Sequence, residues 1–221
     1  MSVIKILNLL WEGIGVSLEI FFLTLLFSLP LGLLIAFGRM AKNKIISAIF
    51  GVYISIMRGT PLMLQLFVIY YLPYFAFGLE LKNLGSNYRL IAVILAFVLN
   101  YAAYFAEIYR SGIASMPVGQ YEAAKVLGMS RGQTFSIVIL PQVVRRILPP
   151  VTNEVITLVK DTSLAFAIGQ IEMFTKAKQI AASEVSMLPY VVAGVLYYIF
   201  NFIVATAMSR LERRFSKYTI K

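Results

Sequence analysis

Long apolar runs alternate with short polar breaks along the whole chain. Four of them, Ile14 to Gly38, Leu62 to Leu81, Leu90 to Tyr109 and Leu188 to Met208, reach the roughly 20 largely apolar residues that a helix needs to cross a bilayer. A fifth, Val138 to Val159, is interrupted by Pro141, Pro149 and Pro150 and carries Asn153 and Glu154, so its hydropathy is poor; it is still counted as a span. Ile45 to Met57 is apolar but too short to cross. Arg58-Gly59-Thr60-Pro61 separates it from the next span, because Pro61 disfavours helix at Thr60. This short segment is expected to be an interfacial or half-buried helix leading into the second crossing. The pattern predicts an all-α polytopic membrane protein with five transmembrane helices and one domain over residues 1–221, without a soluble domain, low-complexity tract or long linker.

One stretch departs from the apolar pattern. Gln120-Tyr121-Glu122-Ala123-Ala124-Lys125-Val126-Leu127-Gly128 is hydrophilic and helix-forming. Pro117 suits the first turn of a helix, Ala123, Ala124 and Leu127 sustain one, and Gly128 can adopt the left-handed conformation that ends it. Ser130 to Gln133 reads as a capping box opening the next helix. A short helix, a tight turn and a second helix make a compact knob on a membrane protein, and its placement suggests a docking handle.

Composition sharpens this picture. Of 221 residues, 60% are apolar and 14% charged, and mean hydropathy is +0.82, against about half apolar and a quarter charged in soluble domains. The absence of cysteine excludes disulfides and thiolate metal sites, and the absence of histidine excludes histidine-based triads, imidazole zinc sites and histidine proton relays. With a single aspartate, Asp161, a membrane aspartyl protease is excluded too. A net charge of +10 in so apolar a chain orients helices rather than binding nucleic acid. Arg39, Lys42 and Lys44 follow the first span, Arg110, Lys125 and Arg131 the third, and Arg210, Arg213, Arg214, Lys217 and Lys221 the fifth. With five crossings these positions share one side, which the positive-inside rule makes cytoplasmic. The amino terminus is then expected outside and the carboxyl terminus inside. The opposing loops balance Lys82 and Arg89 with Glu80, and Lys160, Lys176 and Lys178 with Asp161, Glu172 and Glu184. Residues 1–20 lack a small-residue cleavage site and are not expected to form a removable signal peptide.

Glu122-Ala123-Ala124, then Gly128, then Leu140-Pro141 resembles the EAA loop of membrane subunits in binding-protein-dependent ATP-binding cassette importers, with Val138 where that family usually has isoleucine. Arg58 to Leu62 (RGTPL), Leu99 to Arg110 (LNYAAYFAEIYR) and Lys160 to Leu164 (KDTSL) look like the polar amino acid branch. The resemblance implies a type I, five-helix permease subunit of the bacterial inner membrane, paired with a second permease subunit that is identical or related. Two cytoplasmic ATPase subunits, which bind ATP and Mg, and an extracytoplasmic amino acid-binding protein would complete the assembly. The chain itself has no phosphate-binding loop of the form Gly-x-x-x-x-Gly-Lys-Ser/Thr, so a non-enzymatic transport subunit with no cofactor of its own is expected. In this reading Pro117 to Leu127 is the coupling helix. Gln120, Tyr121, Glu122, Ala123, Ala124 and Gly128 form the ATPase contact, the small alanines allowing close approach and Glu122 offering a charge-assisted bond.

Carboxylates at membrane depth are costly and usually face a partner or a watery path. Glu154, Thr157 and Asp161 share one face of a continuous helix. Pro149-Pro150 and Asp161-Thr162-Ser163 suggest breaks on either side, and broken helices recur at transporter sites. Glu154 is expected to meet a cationic group of the substrate, with backbone amides around Thr162 and Ser163 receiving a carboxylate. Asn100, Tyr101 and Tyr104 could line the same path, as could Thr60 and Gln65. Asp161 serves equally well as the N-cap of the following helix, paired with Lys160 or with a neighbouring subunit. Glu107 and Arg110 read as a helix-surface pair. The acidic residues lean toward arginine, lysine or histidine as substrate. The main alternative is an ion-coupled secondary amino acid carrier, which calls for an internal repeat that the sequence does not display.

Overall fold

The computed structural model describes residues 2–80, 85 and 87–216, and no strand occurs among them. In order, the α-helices are α1 (Val3–Arg39), α2 (Lys44–Gly59), α3 (Leu62–Phe77), α4 (Tyr88–Ala114), α5 (Val118–Val126), α6 (Arg131–Gln133), α7 (Leu140–Asp161), α8 (Met173–Glu184) and α9 (Leu188–Ser216). A π-helical segment, Thr134–Ile139, joins α6 to α7, and a 3-10 segment, Thr162–Ile168, follows α7. By length and composition four helical stretches can cross a membrane, and the bent pair α2–α3 makes a fifth.

The central contact is between α1 and α4. Thr24, Ser28, Gly32 and Ala36 make a buried row of small residues on α1, and α4 answers with Ala92, Ala96, Ala102, Ala103 and Ala106, while Gly13 and Ser17 meet Met173 at the start of α8. Small residues let helix backbones approach where lipid supplies no hydrophobic drive. At Gly32 a Cβ would lie 2.9 Å from Phe105 Cβ and 3.0 Å from the Ala102 carbonyl oxygen. Around this seam Ile20, Phe21, Leu66, Phe97, Phe105, Leu158 and Val159 close the main core. A second cluster, Ile6, Leu10, Ala177, Ile180, Val192 and Ala193, joins the amino-terminal third of α1 to α8 and α9. That packing is why α1 begins well before the expected Ile14.

Three other expectations change. The second span was expected over Leu62 to Leu81, but α3 ends at Gly78, whose φ of +67° turns the chain; Leu81, like the charged Lys82, Lys217 and Lys221, lies outside the described residues. Sixteen residues rise only about 24 Å, short of a full crossing, and α2 joins α3 across a bend of 110°. Pro149 and Pro150 do not break the fourth span. Helix α7 runs through both to Asp161, with Thr152, Val155, Leu158 and Val159 buried in the turns that follow. The helix expected to start at Asp161 starts later: a 3-10 segment follows Asp161, and α8 begins at Met173 with Glu172 as its N-cap.

The knob forms as the local residues dictate. Pro117 is the N-cap of α5 rather than its first helical residue, with φ −60°. Gly128 takes φ +74°; its N–H bonds the Lys125 carbonyl and the Met129 N–H bonds the Ala124 carbonyl, the double bond that closes a Schellman turn. The capping box is present: Ser130 N–H donates to Gln133 Oε1 at 2.8 Å, and Gln133 N–H to Ser130 Oγ at 3.3 Å. Helices α4 and α7 both meet α5 at one end of the bundle, where Arg146 donates to the Ser115 carbonyl at 2.8 Å and Gln142 to Gln120 at 3.3 Å. Helix α8 lies at the other end, against the start of α1, where Lys176 and Glu12 pair at 2.8 Å.

The α1–α4 seam generates a prediction. Gly32→Leu should lower stability by about 1–3 kcal/mol through overpacking. Gly194→Leu, where an added Cβ meets nothing within 4 Å, should leave it nearly unchanged. Thermal unfolding in one detergent reads the difference, and equal midpoints for the two variants would contradict the seam.

Candidate functional site

Near the middle of α4 the bundle encloses a mostly polar cavity of about 370 Å³, lined by Thr60, Pro61, Leu62, Asn100, Tyr101, Tyr104, Glu154, Thr157 and Asp161. Three elements build it. Helix α7 presents Glu154, Thr157 and Asp161 from one face, as their spacing requires. Helix α4 contributes Asn100, Tyr101 and Tyr104, and the α2–α3 bend contributes Thr60 to Leu62. The buried Tyr101 donates its hydroxyl to Asp161 Oδ2 at 2.7 Å. That bond fixes the carboxylate toward α4 and leaves its other oxygen for the cavity. Asp161 makes no side-chain cap to the 3-10 segment that it precedes.

Thr162 and Ser163 are brought to the same turn but not into the cavity. Thr162 is fully buried and donates its hydroxyl to the Val159 carbonyl, and Ser163 donates to the Lys160 carbonyl, each at 2.8 Å. Their N–H groups bond the Leu158 and Lys160 carbonyls. The expected pair of free amides is therefore consumed by the helix continuing as 3-10 turns.

Arg58 brings positive charge to the neighbourhood of Tyr104 and Glu154. It stands at the α2–α3 bend with its guanidinium 5.3 Å from the centre of the Tyr104 ring, close enough to Glu154 to act on it electrostatically. The bend is splinted by side-chain amides. Asn100 Nδ2 donates to the Met57 carbonyl at 3.0 Å and to Gln65 Oε1 at 2.9 Å. Gln65 Nε2 donates to the Met57 and Thr60 carbonyls and to Thr60 Oγ1, at 2.9, 3.1 and 2.8 Å. Thr60 Oγ1 donates onward to the Ile56 carbonyl at 2.8 Å. A helix ended by Pro61 leaves carbonyls that water cannot satisfy at depth, and these side chains take its place. The clue in the sequence was the pairing of Arg58-Gly59-Thr60-Pro61 with Gln65 and Asn100, polar residues otherwise out of place in apolar runs.

At the far end of α4, Glu107 and Arg110 pair as expected, Arg110 Nε donating to Glu107 Oε2 at 2.8 Å. On α5, Ala124 is buried against the bundle and Gln120 is half-buried, while Tyr121, Glu122 and Ala123 are exposed. Val126 and Leu127 are 87% and 77% exposed, a large apolar surface at the tip of the knob.

A helical bundle with a polar cavity at mid-depth and a separate exposed knob is the form of a membrane transport subunit. The profile of the family described as binding-protein-dependent transport system inner membrane component matches residues 28–217, and the chain belongs to that family. It is 39% identical over 211 residues to the L-cystine transport system permease protein TcyB of Bacillus subtilis, covering 95% of this chain and 87% of TcyB. It is likewise 39% identical over 212 residues to the octopine transport system permease protein OccM of Rhizobium radiobacter, covering 92% and 84%. A crystal structure of an amino acid ABC transporter with histidines has a TM-score of 0.85 and 31% identity, covering 97% of this chain and all of that one (100%). The type I permease fold expected from the sequence is thus the one observed, and the secondary-carrier alternative is not favoured.

Gln65→Met should unsplint the bend at nearly constant volume. Leaving Asn100 and the Met57 and Thr60 carbonyls short of partners should cost about 1–3 kcal/mol. A thermal midpoint equal to the parent's would show that the amide network does not hold the bend.

Proposed function

We propose that this chain is the membrane-spanning subunit of an ATP-driven importer that moves a polar amino acid, with a cationic one such as arginine, lysine or histidine preferred. The observation that carries this reading is the cavity with two carboxylates, Glu154 and Asp161, on one wall and Arg58 beside its Tyr104. An amino acid has an ammonium group and a carboxylate, and a cationic one adds a second positive group. Two acids and one guanidinium match that count of charges. Glu154 and Asp161, with Thr157, Asn100 and Tyr104 around them, receive the cationic groups, and Arg58 receives the carboxylate, since the Thr162 and Ser163 amides are already bonded. That a relative is described as an octopine permease and a similar structure as an amino acid transporter with histidines supports the class of substrate.

Energy enters through α5. The chain pairs with a second permease subunit, identical or closely related, and each α5 docks in a cleft of a cytoplasmic ATPase subunit that binds ATP and Mg. Exposed Tyr121, Glu122 and Ala123, the Schellman turn at Gly128 and the bare Val126 and Leu127 support such docking. Closure of the ATPase pair draws the two coupling helices together and rocks the cavity between its two openings. An extracytoplasmic binding protein delivers the substrate. In this reading the amino terminus is outside and the knob and carboxyl terminus are cytoplasmic, as the lysine and arginine bias requires.

Three experiments test the reading. A panel of amino acids should raise the thermal midpoint of the purified complex most for arginine, lysine or histidine. Glu154→Gln should then weaken arginine-dependent uptake about tenfold or more, the worth of a charge-assisted bond; unchanged kinetics would remove Glu154 from the site. Scrambling residues 120–128 should abolish uptake while the chain still inserts, and persisting flux would overturn the coupling role.

A further inference from the structure

Between the knob and α7 lies the one π-helical stretch among the described residues, Thr134–Ile139. Its turns hold a surplus residue, and the Leu140 N–H reaches back five residues to the Phe135 carbonyl. A π turn is rare, and where it interrupts an α-helix it is usually found at a functional site. Pro141, immediately beyond, has no N–H to return to this turn.

Side chains take up carbonyls along the joint. Thr134 donates its hydroxyl to the Ser130 carbonyl at 2.9 Å, Ser136 donates to the Gly132 carbonyl at 2.8 Å, and Gln142 Nε2 donates to the Val138 carbonyl at 2.8 Å. The two hydroxyl bonds are local ones of the kind that bends a helix. The amide bond is different, because the same Gln142 nitrogen donates to Gln120 Oε1 of α5 at 3.3 Å. Gln142 is therefore bonded at once to the π segment and to the knob, and α5 packs directly against that segment. Both ends of the joint are pinned. The Ser130–Gln133 capping box fixes its start, and Ile139 and Val143 are buried with Met116 at its end. Its middle is loose by comparison, with Ile137 63% exposed.

We propose that the π segment is the yielding joint between the knob and α7, and that Gln142 is the positioning residue that sets it. When α5 is displaced, Gln142 is drawn off the Val138 carbonyl. The turn then tightens toward α geometry, which changes both the length of the joint and the angle at which α6 meets α7. Gln142 and Glu154 share α7, so the adjustment reaches the cavity wall through one continuous helix. Gln142 itself is not among the cavity residues.

The inference rests on the transport reading, and one assay separates the two. The complex with its ATPase subunits is reconstituted in lipid vesicles with the binding protein, and L-arginine uptake and ATP turnover are measured together. Gln142→Leu removes both bonds at similar volume. It should cut the arginine moved per ATP hydrolysed about threefold or more, with the half-saturating arginine concentration within about twofold of the parent. Gln142→Lys still offers a donor to both oxygens and should keep at least about half of the parent's ratio. Deleting Ile137 removes the surplus residue at an exposed position and leaves α turns across the joint. The shortened chain should melt at or above the parent's midpoint, yet its uptake should fall about tenfold or more because the joint no longer yields. A parent that moves no amino acid overturns the transport reading and this inference with it. A working parent overturns this inference alone if Gln142→Leu keeps the parent's ratio, if Gln142→Lys is as defective as Gln142→Leu, or if the Ile137 deletion either unfolds the chain or transports normally.

Discussion

A carboxylate inside a membrane bundle has to be satisfied by the protein or by a polar cavity, because lipid offers no partner and each unmet polar group at that depth costs several kcal/mol. The Tyr101 hydroxyl, 2.7 Å from Asp161, meets that constraint on one oxygen and sets the geometry around it. Had Asp161 capped the 3-10 segment instead, its charge would have been spent within its own backbone. With the tyrosine as donor, α7 is fixed to α4 at mid-depth and an oxygen remains for the cavity. The α2–α3 bend follows the same rule. Asn100 and Gln65 replace the water that the broken helix would otherwise require, and by doing so they hold Thr60 on the cavity wall beside Arg58.

The two buried acid sites are made differently, and the difference separates their roles. Glu172 is saturated by four bonds and has nothing left to offer a ligand. Glu154 and Asp161 are only half-buried and front a cavity. A saturated carboxylate rigidifies its surroundings, and an unsaturated one at a cavity invites a cation. The fold places one of each on either side of the Thr162 turn.

Much of this was legible in the sequence where local chemistry decides structure. Ser130 with Gln133, and Gly128 after Val126, define the knob without reference to the rest of the chain, and both appear as read. The seven-residue spacing of Glu154 and Asp161 also carried through, since a continuous helix fixes a shared face. What was hidden depends on tertiary packing. Pro149 and Pro150 signal a break by local rules, yet α7 continues because the turns beyond them are buried against the core. Glu172 reads as a loop charge balancing Lys176 and Lys178 until α1 and α9 close around it. Arg58 belonged to a recognised segment, but only the 110° bend turns it over Tyr104.

Segments far apart in the chain converge because of this packing. Arg58 to Leu62, Leu99 to Arg110 and Lys160 to Leu164 all meet at the cavity, whereas the Glu122 segment stands at the end of the bundle where α4 stops and α7 starts. Both helices that wall the cavity therefore run without interruption to the knob. Gln142 ties α7 to Gln120 of α5, and Arg146 ties α7 to the Ser115 carbonyl at the end of α4, so the three helices are joined at the knob. The Tyr101–Asp161 bond lies across α4 and α7, so sliding one past the other changes the bond directly. In the proposed importer, a carboxylate held across this helix pair gives the cavity an affinity that depends on the position of the knob. That dependence is what alternating access demands of a binding site.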